Sequence, residues 1–444
     1  MKTLVLGAGI SGRAASRLLG RLDLDHVVYD RCAASLRPLA ASGTGTVAGP
    51  WEPSLLSGVE LVVTSPGFSP SSHPLRAASE AGIPVWSEVE LAIRHLRCPV
   101  VAVTGTNGKT TVVEQATEML QESGVRAVAA GNIGRALSDV VFDEWDVVVL
   151  EVSSFQLVGT YSLAPRVAVV VNVAADHLDW HGSPAAYREA KARIFRHFTA
   201  DDLLVYDADD PGASALARIA PGRKSPVTGS DRLPANRYGF VQGGLRLPAG
   251  TVPVNEMPAI DPAYRVNLTA AAVAATEMGA GPGSVAGVVG RFHHRSHRRD
   301  VVGEWAGVTW VNDSKATNPH AASAAIRCYP SVVLIAGGRN KGLDLAPIVA
   351  LPNIRLLIGL GEAGPELLRR SRGRPARLAG SMEQAVDMAG AHAISGDTVL
   401  LSPGCASFDM FASYEERGEV FGRLVRRHIE AARLATAGIG MDPG

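Results

Sequence analysis

The sequence predicts an α/β protein built around mostly parallel sheets. Short β-branched runs bounded by Gly or Pro alternate with Ala-, Leu- and Arg-rich helical patterns, which is typical of βαβ units. At 444 residues the chain is too long for one ordinary core, and about 150 residues per domain suggests about three domains. The predicted strands are Thr3–Leu6, Val27–Tyr29, Leu61–Thr64, Val100–Thr104, Val147–Leu150, Val167–Asn172, Leu203–Tyr206, Val308–Asn312, Val332–Ile335, Leu356–Ile358 and Thr398–Ser402.

Composition excludes several classes of partner. Acidic and basic residues balance at 43 each, so no global field favours nucleic acid or an anionic membrane, and we expect neither partner. The four cysteines are Cys32, Cys98, Cys328 and Cys405. They are far apart and lack metal-ligand spacing, which indicates a reducing compartment. The first residues lack a signal-peptide pattern, and no apolar run approaches the roughly 18 residues of a membrane helix. We therefore expect a cytoplasmic protein.

Lysine is rare, and its positions are informative. The chain has 37 arginines and six lysines, and four of the lysines lie in short patterned segments: Lys109, Lys191, Lys315 and Lys341. A compact amine serves point contacts on phosphate and reactions at nitrogen that a guanidinium does not. The alternative, a compositional loss of lysine, explains the scarcity but not these locations. The four lysines are therefore candidate site residues.

A Gly-rich turn between a strand and a helix predicts a phosphate-binding loop. Residues 100–111 read VVAVTGTNGKTT, and the turn consists of Gly105, Thr106, Asn107 and Gly108. Backbone amides of such a turn can wrap phosphates, while Lys109 reaches their oxygens and Thr110 or Thr111 holds Mg²⁺. Val103 stands where the strict pattern has Gly, and Gly105 replaces it. The alternative is a chance strand–turn–helix.

Polar residues follow the next two predicted strands. Glu151 ends one strand, at the sheet edge where open α/β folds bind ligands, and is a candidate Mg²⁺ ligand. The following strand ends in NVAADHLDWHG, which places five polar side chains on one loop: Asn172, Asp176, His177, Asp179 and His181. The alternative interpretation of this loop is a solvated polar segment.

Lys191 lies on the apolar face of a predicted helix. The helix begins after Ser183 and runs through Phe198, with Tyr187 and Ile194 on the same face as Lys191. The helix pattern alone favours a lysine that snorkels to the surface. The other interpretation is a desolvated amine with a lowered pKa, able to react with carbon dioxide and form a metal-ligating carbamate.

The first domain carries a second anion-binding pattern. GAGISG at 7–12 follows the first strand, and Asp30 ends the second strand, which satisfies the dinucleotide fingerprint. The same geometry binds any pyrophosphate at a helix N-terminus, so NAD and a nucleotide diphosphate both remain open. The turn at 64–68 adds backbone donors, and Ser87 with Glu90 forms a capping-box pattern.

Three loops of the third domain each follow a strand. They read WVNDSKATN at 310–318, AGGRNKG at 336–342 and SPGCASFD at 402–409. Lys315, Lys341 and Arg298 would suit a carboxylate or a phosphate entering a cleft between these loops. For each loop alone, a turn with a helix cap is the alternative.

These patterns predict the domain organisation. Residues 1–95 form an N-terminal Rossmann-like domain, 96–296 a central P-loop ATPase-like parallel sheet, and 297–444 a C-terminal Rossmann-like domain. A small β excursion is predicted within 221–262, and the basic stretch 291–299 is predicted to be a linker.

Over essentially its whole length the chain resembles the Mur ligase family, the ATP-dependent amide-forming ligases of peptidoglycan precursor synthesis. The matching motifs are TGTNGKTT, GNIG at 131–134, EVSSFQL from Glu151, NVAADHLDWHG, the Lys191 helix, HRRD from His297, NDSKATN and SPGCAS. The similarity is greatest to the member that adds D-glutamate to UDP-N-acetylmuramoyl-L-alanine. Asn107 disfavours the L-alanine-adding member, and a Rossmann-like first domain disfavours the third- and fourth-step ligases.

The resemblance implies the reaction and its site. ATP phosphorylates the substrate carboxylate, and the amine of D-glutamate attacks the acyl phosphate. The implied catalytic residues are Lys109, Glu151, His177 and carbamylated Lys191. The implied ATP-binding residues are Gly105, Thr106, Asn107, Gly108, Lys109, Thr110, Thr111, Asn267, Arg298, Asp313 and Lys315. The implied metal ligands, for two Mg²⁺ ions or alternatively Mn²⁺, are Thr110, Thr111, Glu151, His177 and Lys191.

Substrate contacts follow from the same resemblance. Those to the UDP substrate are Ile10, Ser11, Asp30, Ser65, Gly67 and His177, and Asn132 contacts either that substrate or the reacting phosphate region. Those to D-glutamate are Thr317, Lys341, Ser407, Phe408 and Tyr414. The resemblance also implies a product that serves cell-wall biogenesis, cell shape and division, and we expect a monomer.

The chain departs from the family pattern at three positions. Ala263 and Tyr264 stand where the family helix HNxxNxxAA has His-Asn, although Asn267 matches. Arg31 follows Asp30 at once, where the family spaces a basic residue further on, and Tyr414 occupies a position often filled by Phe. Two other functions stay open: a folylpolyglutamate synthase, and a nucleotide-regulated binding module without ligase activity.

Overall fold

The computed structural model describes residues 2–255, 260–293 and 296–438 and confirms the α/β class. The chain divides into two compact units. The first comprises residues 1–174 and 180–292, and the second comprises residues 175–179 and 293–444. The predicted boundary near His95 falls between two elements of the first unit, and the predicted linker 291–299 includes residues 294 and 295, which lie outside the described residues.

The first unit begins with a five-stranded parallel sheet in the order β3-β2-β1-β4-β5. Its strands are β1 Thr3–Leu6, β2 His26–Asp30, β3 Gly45–Ala48, β4 Leu61–Thr64 and β5 Val85–Ser87. Its helices are α1 Ile10–Arg21, α2 Ala33–Ala41, α3 His73–Glu80 and α4 Glu88–Ile93. We call this the first sheet. Its strand order is that of a Rossmann-like fold.

The second sheet has six parallel strands in the order β11-β10-β9-β6-β8-β7. Its strands are β6 Val100–Thr104, β7 Ala127–Gly131, β8 Val147–Glu151, β9 Val167–Val170, β10 Leu203–Asp207 and β11 Arg223–Val227. Its helices are α5 Lys109–Glu122, α6 Ser154–Val158, α7 Leu178–His181, α8 Pro184–Ala192, α9 Pro211–Ile219, α10 Pro262–Glu277 and α11 Pro282–Gly290. The predicted β excursion is confirmed as an antiparallel sheet of β12 Gly239–Val241, β13 Gly244–Leu247 and β14 Gly250–Pro253.

The second unit contains a six-stranded sheet in the order β15-β16-β20-β17-β18-β19, in which only the β15–β16 pair is antiparallel. Its strands are β15 Asp300–Trp305, β16 Val308–Asn312, β17 Val332–Gly337, β18 Ile354–Leu360, β19 Ala376–Ala379 and β20 Thr398–Leu401. Its helices are α12 Pro319–Ile326, α13 Ala346–Val349, α14 Gly364–Arg370, α15 Met382–His392 and α16 Tyr414–Gly438. We call this the third sheet.

Burial explains why the central strands form. Every residue of β6 and β8 is buried, as expected for parallel strands covered on both faces. Helix α10 packs against α5, and its buried residues include a run of alanines at 270–272. Because β9, β6 and β8 are neighbours, the loops that follow them emerge at one edge of the second sheet. This edge positions the site residues of the first unit.

Two local predictions need correction. Ser87 caps α4 by accepting the Glu90 N–H at 3.1 Å, but the Glu90 carboxylate does not return to the Ser87 N–H. That N–H donates to the Gly159 carbonyl at 2.8 Å instead, so the capping box is half formed. The predicted helix through Phe198 ends at Ala192 and continues as a 3₁₀ turn over Arg193–Phe195.

Among the described helices, none combines the length and the apolar character that crossing a membrane requires.

Candidate active site

The predicted phosphate loop connects β6 to α5. Gly108 precedes the helix with φ of 85°, a left-handed conformation that favours glycine. A Cβ atom at Gly108 would lie 2.5 Å from Oδ1 of Asn267, so that asparagine packs directly against the loop. Asn172 fixes the loop from β9, because its Oδ1 accepts the Asn107 N–H at 2.8 Å and its Nδ2 donates to the Asn107 carbonyl at 3.1 Å. The loop is thus held from two sides.

Two lysines converge on one carbonyl of this loop. Lys109 Nζ donates to the Gly105 carbonyl at 2.9 Å and to the Thr106 carbonyl at 3.1 Å. Lys191 Nζ donates to the same Gly105 carbonyl at 2.8 Å and lies 4.6 Å from the centre of the Tyr187 ring. Lys191 is 1% exposed, so the alternative that the helix pattern alone favoured, a snorkelling lysine, is wrong. Its amine is buried beside the phosphate loop.

Glu151 ends β8 as a buried carboxylate. It is 2% exposed, and its Oε1 accepts a hydrogen bond from Asn132 Nδ2 at 2.8 Å. Its Oε2 has no hydrogen-bond partner among the described residues. A buried carboxylate oxygen in this state is costly unless a cation or a donor binds it. The residue therefore fits a Mg²⁺ ligand, and Asn132 orients it.

The other predicted metal ligands belong to different elements of the structure. Thr110 is half-buried and Thr111 is buried in the first turn of α5, while His177 belongs to the 175–179 segment of the second unit. Within residues 2–255, 260–293 and 296–438, no group of three or more His, Cys, Asp or Glu side chains could hold a metal ion. Mg²⁺ sites on nucleotides commonly use one or two carboxylates with phosphate oxygens and water. Glu151 is the described residue that fits this use best.

The loop after β9 is fixed by hydrogen bonds around Thr106. Its hydroxyl accepts the Ala174 N–H at 3.0 Å and lies 3.0 Å from the Tyr187 hydroxyl. His181 pairs with the Ser154 hydroxyl at 2.9 Å. The side chains after β9 thus brace the phosphate loop and α6.

Asp30 shapes the Gly-rich turn of the first sheet. Its carboxylate accepts the Ala8 N–H at 2.8 Å and the Cys32 N–H at 2.9 Å. A Cβ atom at Gly12 would lie 1.8 Å from the Gly7 carbonyl oxygen, so this position requires glycine. Ile10, at 69% exposure, and half-buried Ser11 begin α1 at the same turn. The predicted uridine diphosphate contacts therefore gather at one end of the first sheet.

A cavity of about 500 Å³ lies between the first and second sheets. Ser11, Ser65 and Phe68 line it from the first sheet, and Phe155 and Gln156 line it from α6. Exposed Gly67 lies in the same turn as Ser65. The cavity is large enough for part of a small-molecule substrate, and its lining includes Ser11 and Ser65 from the predicted uridine diphosphate contacts.

Asp313 is a buried carboxylate of the second unit, and its pKa is raised. It is 7% exposed and accepts a hydrogen bond from the Ser402 hydroxyl at 2.8 Å. Burial raises the pKa of Asp313 to about 7, and the nearby Arg299 opposes that rise. Half-buried Arg298 lies between His297 and Arg299, which both have positive φ, of 63° and 56°. The HRRD segment is thus a constrained turn beside Asp313.

Lys315 lies against an aromatic ring. Its Nζ is 3.6 Å from the centre of the Tyr414 ring, a cation–π contact, and its backbone N–H donates to the His297 carbonyl at 3.1 Å. Burial, with help from Glu415, raises the pKa of Tyr414 to about 12. The NDSKATN and HRRD motifs therefore meet at the start of α16.

The predicted D-glutamate residues occur in the same unit. Lys341 Nζ lies 3.5 Å from the carboxylate of Asp176, which also accepts the Asn318 amide at 3.0 Å and the His177 N–H at 2.8 Å. Thr317 is half-buried and Ser407 is buried, whereas Phe408 is 65% exposed. The structure thus pairs Lys341 with a carboxylate, the type of group it is predicted to bind.

Three family models match successive parts of the chain. The Mur ligase MurD-like N-terminal domain matches residues 1–87, the Mur ligase middle domain residues 103–236, and the Mur ligase glutamate ligase domain residues 297–405. The chain belongs to the Mur ligase family.

Curated relatives of this Mur ligase match along nearly their whole length. A protein of Frankia casuarinae named UDP-N-acetylmuramoylalanine–D-glutamate ligase is 42% identical, with 96% of this chain and 94% of the relative covered. A protein of the same name from Shouchella clausii is 38% identical, with 95% of each chain covered. Among solved structures, the MurF ligase of Thermotoga maritima in complex with ADP superposes with a TM-score of 0.60 at 16% identity, covering 92% of this chain and 95% of that one. At that identity the structure supports the fold.

Arg417 is a residue of this Mur ligase that sequence reasoning missed. It is 2% exposed in α16 and donates to the Ser314 hydroxyl at 2.9 Å, the Ser314 carbonyl at 2.8 Å and the Cys405 carbonyl at 3.1 Å. Burial lowers the pKa of Arg417 to about 10. It ties the NDSKATN loop to the SPGCAS loop. One arginine among 37 carries no sequence pattern that could have marked it.

Proposed function

We propose that this Mur ligase joins D-glutamate to UDP-N-acetylmuramoyl-L-alanine at the expense of ATP, in peptidoglycan precursor synthesis. The observation that carries the proposal is full-length similarity, at 42% and 38% identity, to relatives named for this reaction. The phosphate loop with its two converging lysines supports the ATP-dependent half.

The reaction requires an activated carboxylate. Attack by the substrate carboxylate oxygen on the γ-phosphorus of ATP breaks the bond to the β,γ-bridging oxygen, and ADP leaves. The amine of D-glutamate then attacks the acyl carbon, phosphate departs with the former carboxylate oxygen, and the ammonium intermediate loses a proton. Lys109 would shift from the Gly105 carbonyl to phosphate oxygens, where its charge stabilises the transferred group.

Mg²⁺ fits Glu151 and the threonine hydroxyls at the start of α5. Glu151, one of whose carboxylate oxygens has no hydrogen-bond partner among the described residues, and Thr110 or Thr111 would hold one ion. His177 and a carbamylated Lys191 would hold a second, and Mn²⁺ could replace either. When bound, these ions neutralise phosphate charge during transfer.

The substrates divide between the units. Asp30, Ser11 and Ser65 would hold the uridine diphosphate, with Asn132 near the reacting group. Arg298, Asp313 and Lys315 would contact ATP. Lys341 would pair with the side-chain carboxylate of D-glutamate. The other residues of that site would be Thr317, Ser407, Phe408 and Tyr414.

We further infer domains at 1–95, 96–296 and 297–444, a monomer, and a cytoplasmic location.

Two alternative functions fit less well. A folylpolyglutamate synthase does not account for the match of residues 1–87 to the MurD-like N-terminal domain. A nucleotide-regulated binding module does not account for a buried Lys191 amine beside the phosphate loop.

An amino-acid panel tests the proposal. Purified protein with ATP, Mg²⁺ and UDP-N-acetylmuramoyl-L-alanine should release phosphate with D-glutamate and not with L-glutamate, and mass spectrometry should detect the UDP-dipeptide product. Phosphate release with L-glutamate, or with a pterin substrate, and none with D-glutamate would refute the proposal.

A further inference from the structure

A short helix of the first sheet carries two buried carboxylates. Helix α4 begins at Glu88 directly after β5, and Glu88 and Glu90 are 2% and 0% exposed. The proposed reaction assigns neither of them a role. Because glutamates are almost never fully buried without partners, the groups they contact indicate what they do.

Glu90 binds the chain that follows α6. Its Oε2 accepts the Tyr161 and Ser162 N–H groups at 2.6 and 2.7 Å. Its Oε1 accepts the Ser162 hydroxyl at 2.5 Å and Arg94 Nε at 2.7 Å. A carboxylate with four donors makes strong charge-assisted hydrogen bonds. Helix α6 lines the cavity and begins three residues after Glu151, so Glu90 anchors its far end.

Glu88 binds a second loop of the second sheet. Its Oε1 accepts the Ser138 N–H at 2.6 Å, in the 3₁₀ turn Leu137–Asp139 that follows Asn132. Its Oε2 has no hydrogen-bond partner among the described residues, and Glu88 also lines the cavity. Burial raises the pKa of Glu88, and the Ser138 N–H opposes that rise. The loop that carries Asn132 is therefore anchored to the same helix.

The backbone of β5 links the first sheet to the chain that follows α6. Thr64 on β4 pairs in register with Ser87 on β5, and the turn containing Ser65 starts at the next residue. The Ser87 N–H donates to the Gly159 carbonyl at 2.8 Å, and its hydroxyl lies 2.8 Å from that of Thr160. A Cβ atom at Gly159 would lie 2.8 Å from the Ser87 nitrogen, so the two backbones are in contact. The two walls of the cavity are thus joined through α4.

We propose that Glu88 and Glu90 are positioning residues that hold the two walls of the cavity at the spacing required by the UDP-linked substrate, an inference that rests on the proposed function. By the proposed assignment that substrate contacts the Ser65 turn on one wall, and Asn132 belongs to the loop that Glu88 anchors through Ser138. A preformed spacing removes an ordering cost from its binding. The residues proposed to contact ATP and D-glutamate do not line this cavity, so we expect the binding of these two substrates to be independent of the anchors.

Substitutions separate the anchors from general stability. Glu90→Gln places an NH₂ group against N–H donors, and Glu88→Leu removes the acceptor for Ser138. Glu88→Gln is the conservative variant, because its amide oxygen can still accept the Ser138 N–H. Asp202→Asn is the matched control, since that carboxylate accepts the Thr199 N–H at 2.7 Å in the turn before β10 and does not line the cavity.

Steady-state kinetics and amide hydrogen exchange give the readouts. We expect Glu90→Gln and Glu88→Leu to raise KM for UDP-N-acetylmuramoyl-L-alanine by about tenfold, with KM for ATP and D-glutamate within about twofold. Glu88→Gln and Asp202→Asn should stay within about twofold for all three substrates. The Tyr161 and Ser162 amides should exchange faster in Glu90→Gln.

The outcomes distinguish the two proposals. If the wild-type protein does not use the UDP substrate, the proposed function fails. Exchange of the Tyr161 and Ser162 amides still shows whether Glu90 anchors them. The positioning role is overturned if all three KM values and kcat worsen together in proportion to the fall in Tm. It is also overturned if Glu88→Gln matches Glu88→Leu, or if faster exchange leaves the KM for the UDP substrate unchanged. If Glu90→Gln does not fold, the two Glu88 variants decide the question.

Discussion

Lys191→Ala is expected to lower kcat/KM by at least about a thousandfold, which corresponds to about 4 kcal/mol of transition-state stabilisation. The amine of Lys191 is buried beside the phosphate loop and donates to the Gly105 carbonyl at 2.8 Å. As a carbamate it would carry a negative charge and hold a metal ion, and alanine removes both. The measurement is kcat/KM for each substrate with purified variant at saturating levels of the other two.

Chemical rescue tests whether the lost group is a carbamate. A short carboxylic acid supplied with bicarbonate can enter the space left by the side chain, and we expect partial recovery of kcat. Arg188→Ala is the control, because Arg188 is an exposed residue of the same helix. Wild-type activity in Lys191→Ala would remove this lysine from the mechanism.

Lys109→Met is expected to lower kcat/KM for ATP by about a thousandfold, because a cation that contacts the transferred phosphoryl group stabilises charge in the transition state. The Lys109 amine lies 2.9 and 3.1 Å from two loop carbonyls, so it is already held at the phosphate loop. Methionine keeps most of the side-chain volume and removes the charge. Phosphate release at varied ATP concentrations measures the change.

Lys224→Met is the matched control for that variant. Lys224 is an exposed lysine on the edge strand β11, and its loss should leave kcat/KM within about twofold of wild type. Equal losses in the two variants would mean that charge in general, and not the position of Lys109, determines ATP use.

In the three large sheets, the strands that the sequence did not predict are all edge strands. All eleven predicted strands are present, while β3, β5, β7, β11, β15 and β19 were missed, and these six lie at the edges of the three large sheets. Inner strands such as β6 are buried throughout, whereas β3 and β15 are half-exposed. An edge strand needs no continuous apolar run, so its sequence does not differ from that of a loop.

Side-chain partners set a second limit on sequence reasoning. The spacing of Ser87 and Glu90 predicted a capping box, but the Glu90 carboxylate binds amides 71 and 72 residues further along the chain. The pattern around Lys191 favoured a snorkelling side chain, but its amine donates a hydrogen bond to the Gly105 carbonyl, 86 residues away. Local rules fail where a distant loop supplies a better partner. By contrast, the phosphate loop and Glu151 were predicted because strand ends in parallel sheets share one edge.

Transfer of oxygen from substrate to phosphate tests the proposed ligase reaction most directly. The carboxylate of UDP-N-acetylmuramoyl-L-alanine is labelled with oxygen-18, and the phosphate released with ATP and D-glutamate is analysed by mass spectrometry. The acyl-phosphate route predicts that each phosphate carries one oxygen from the labelled carboxylate and that the UDP-dipeptide keeps the other. Unlabelled phosphate formed together with the dipeptide would contradict activation of the carboxylate by ATP.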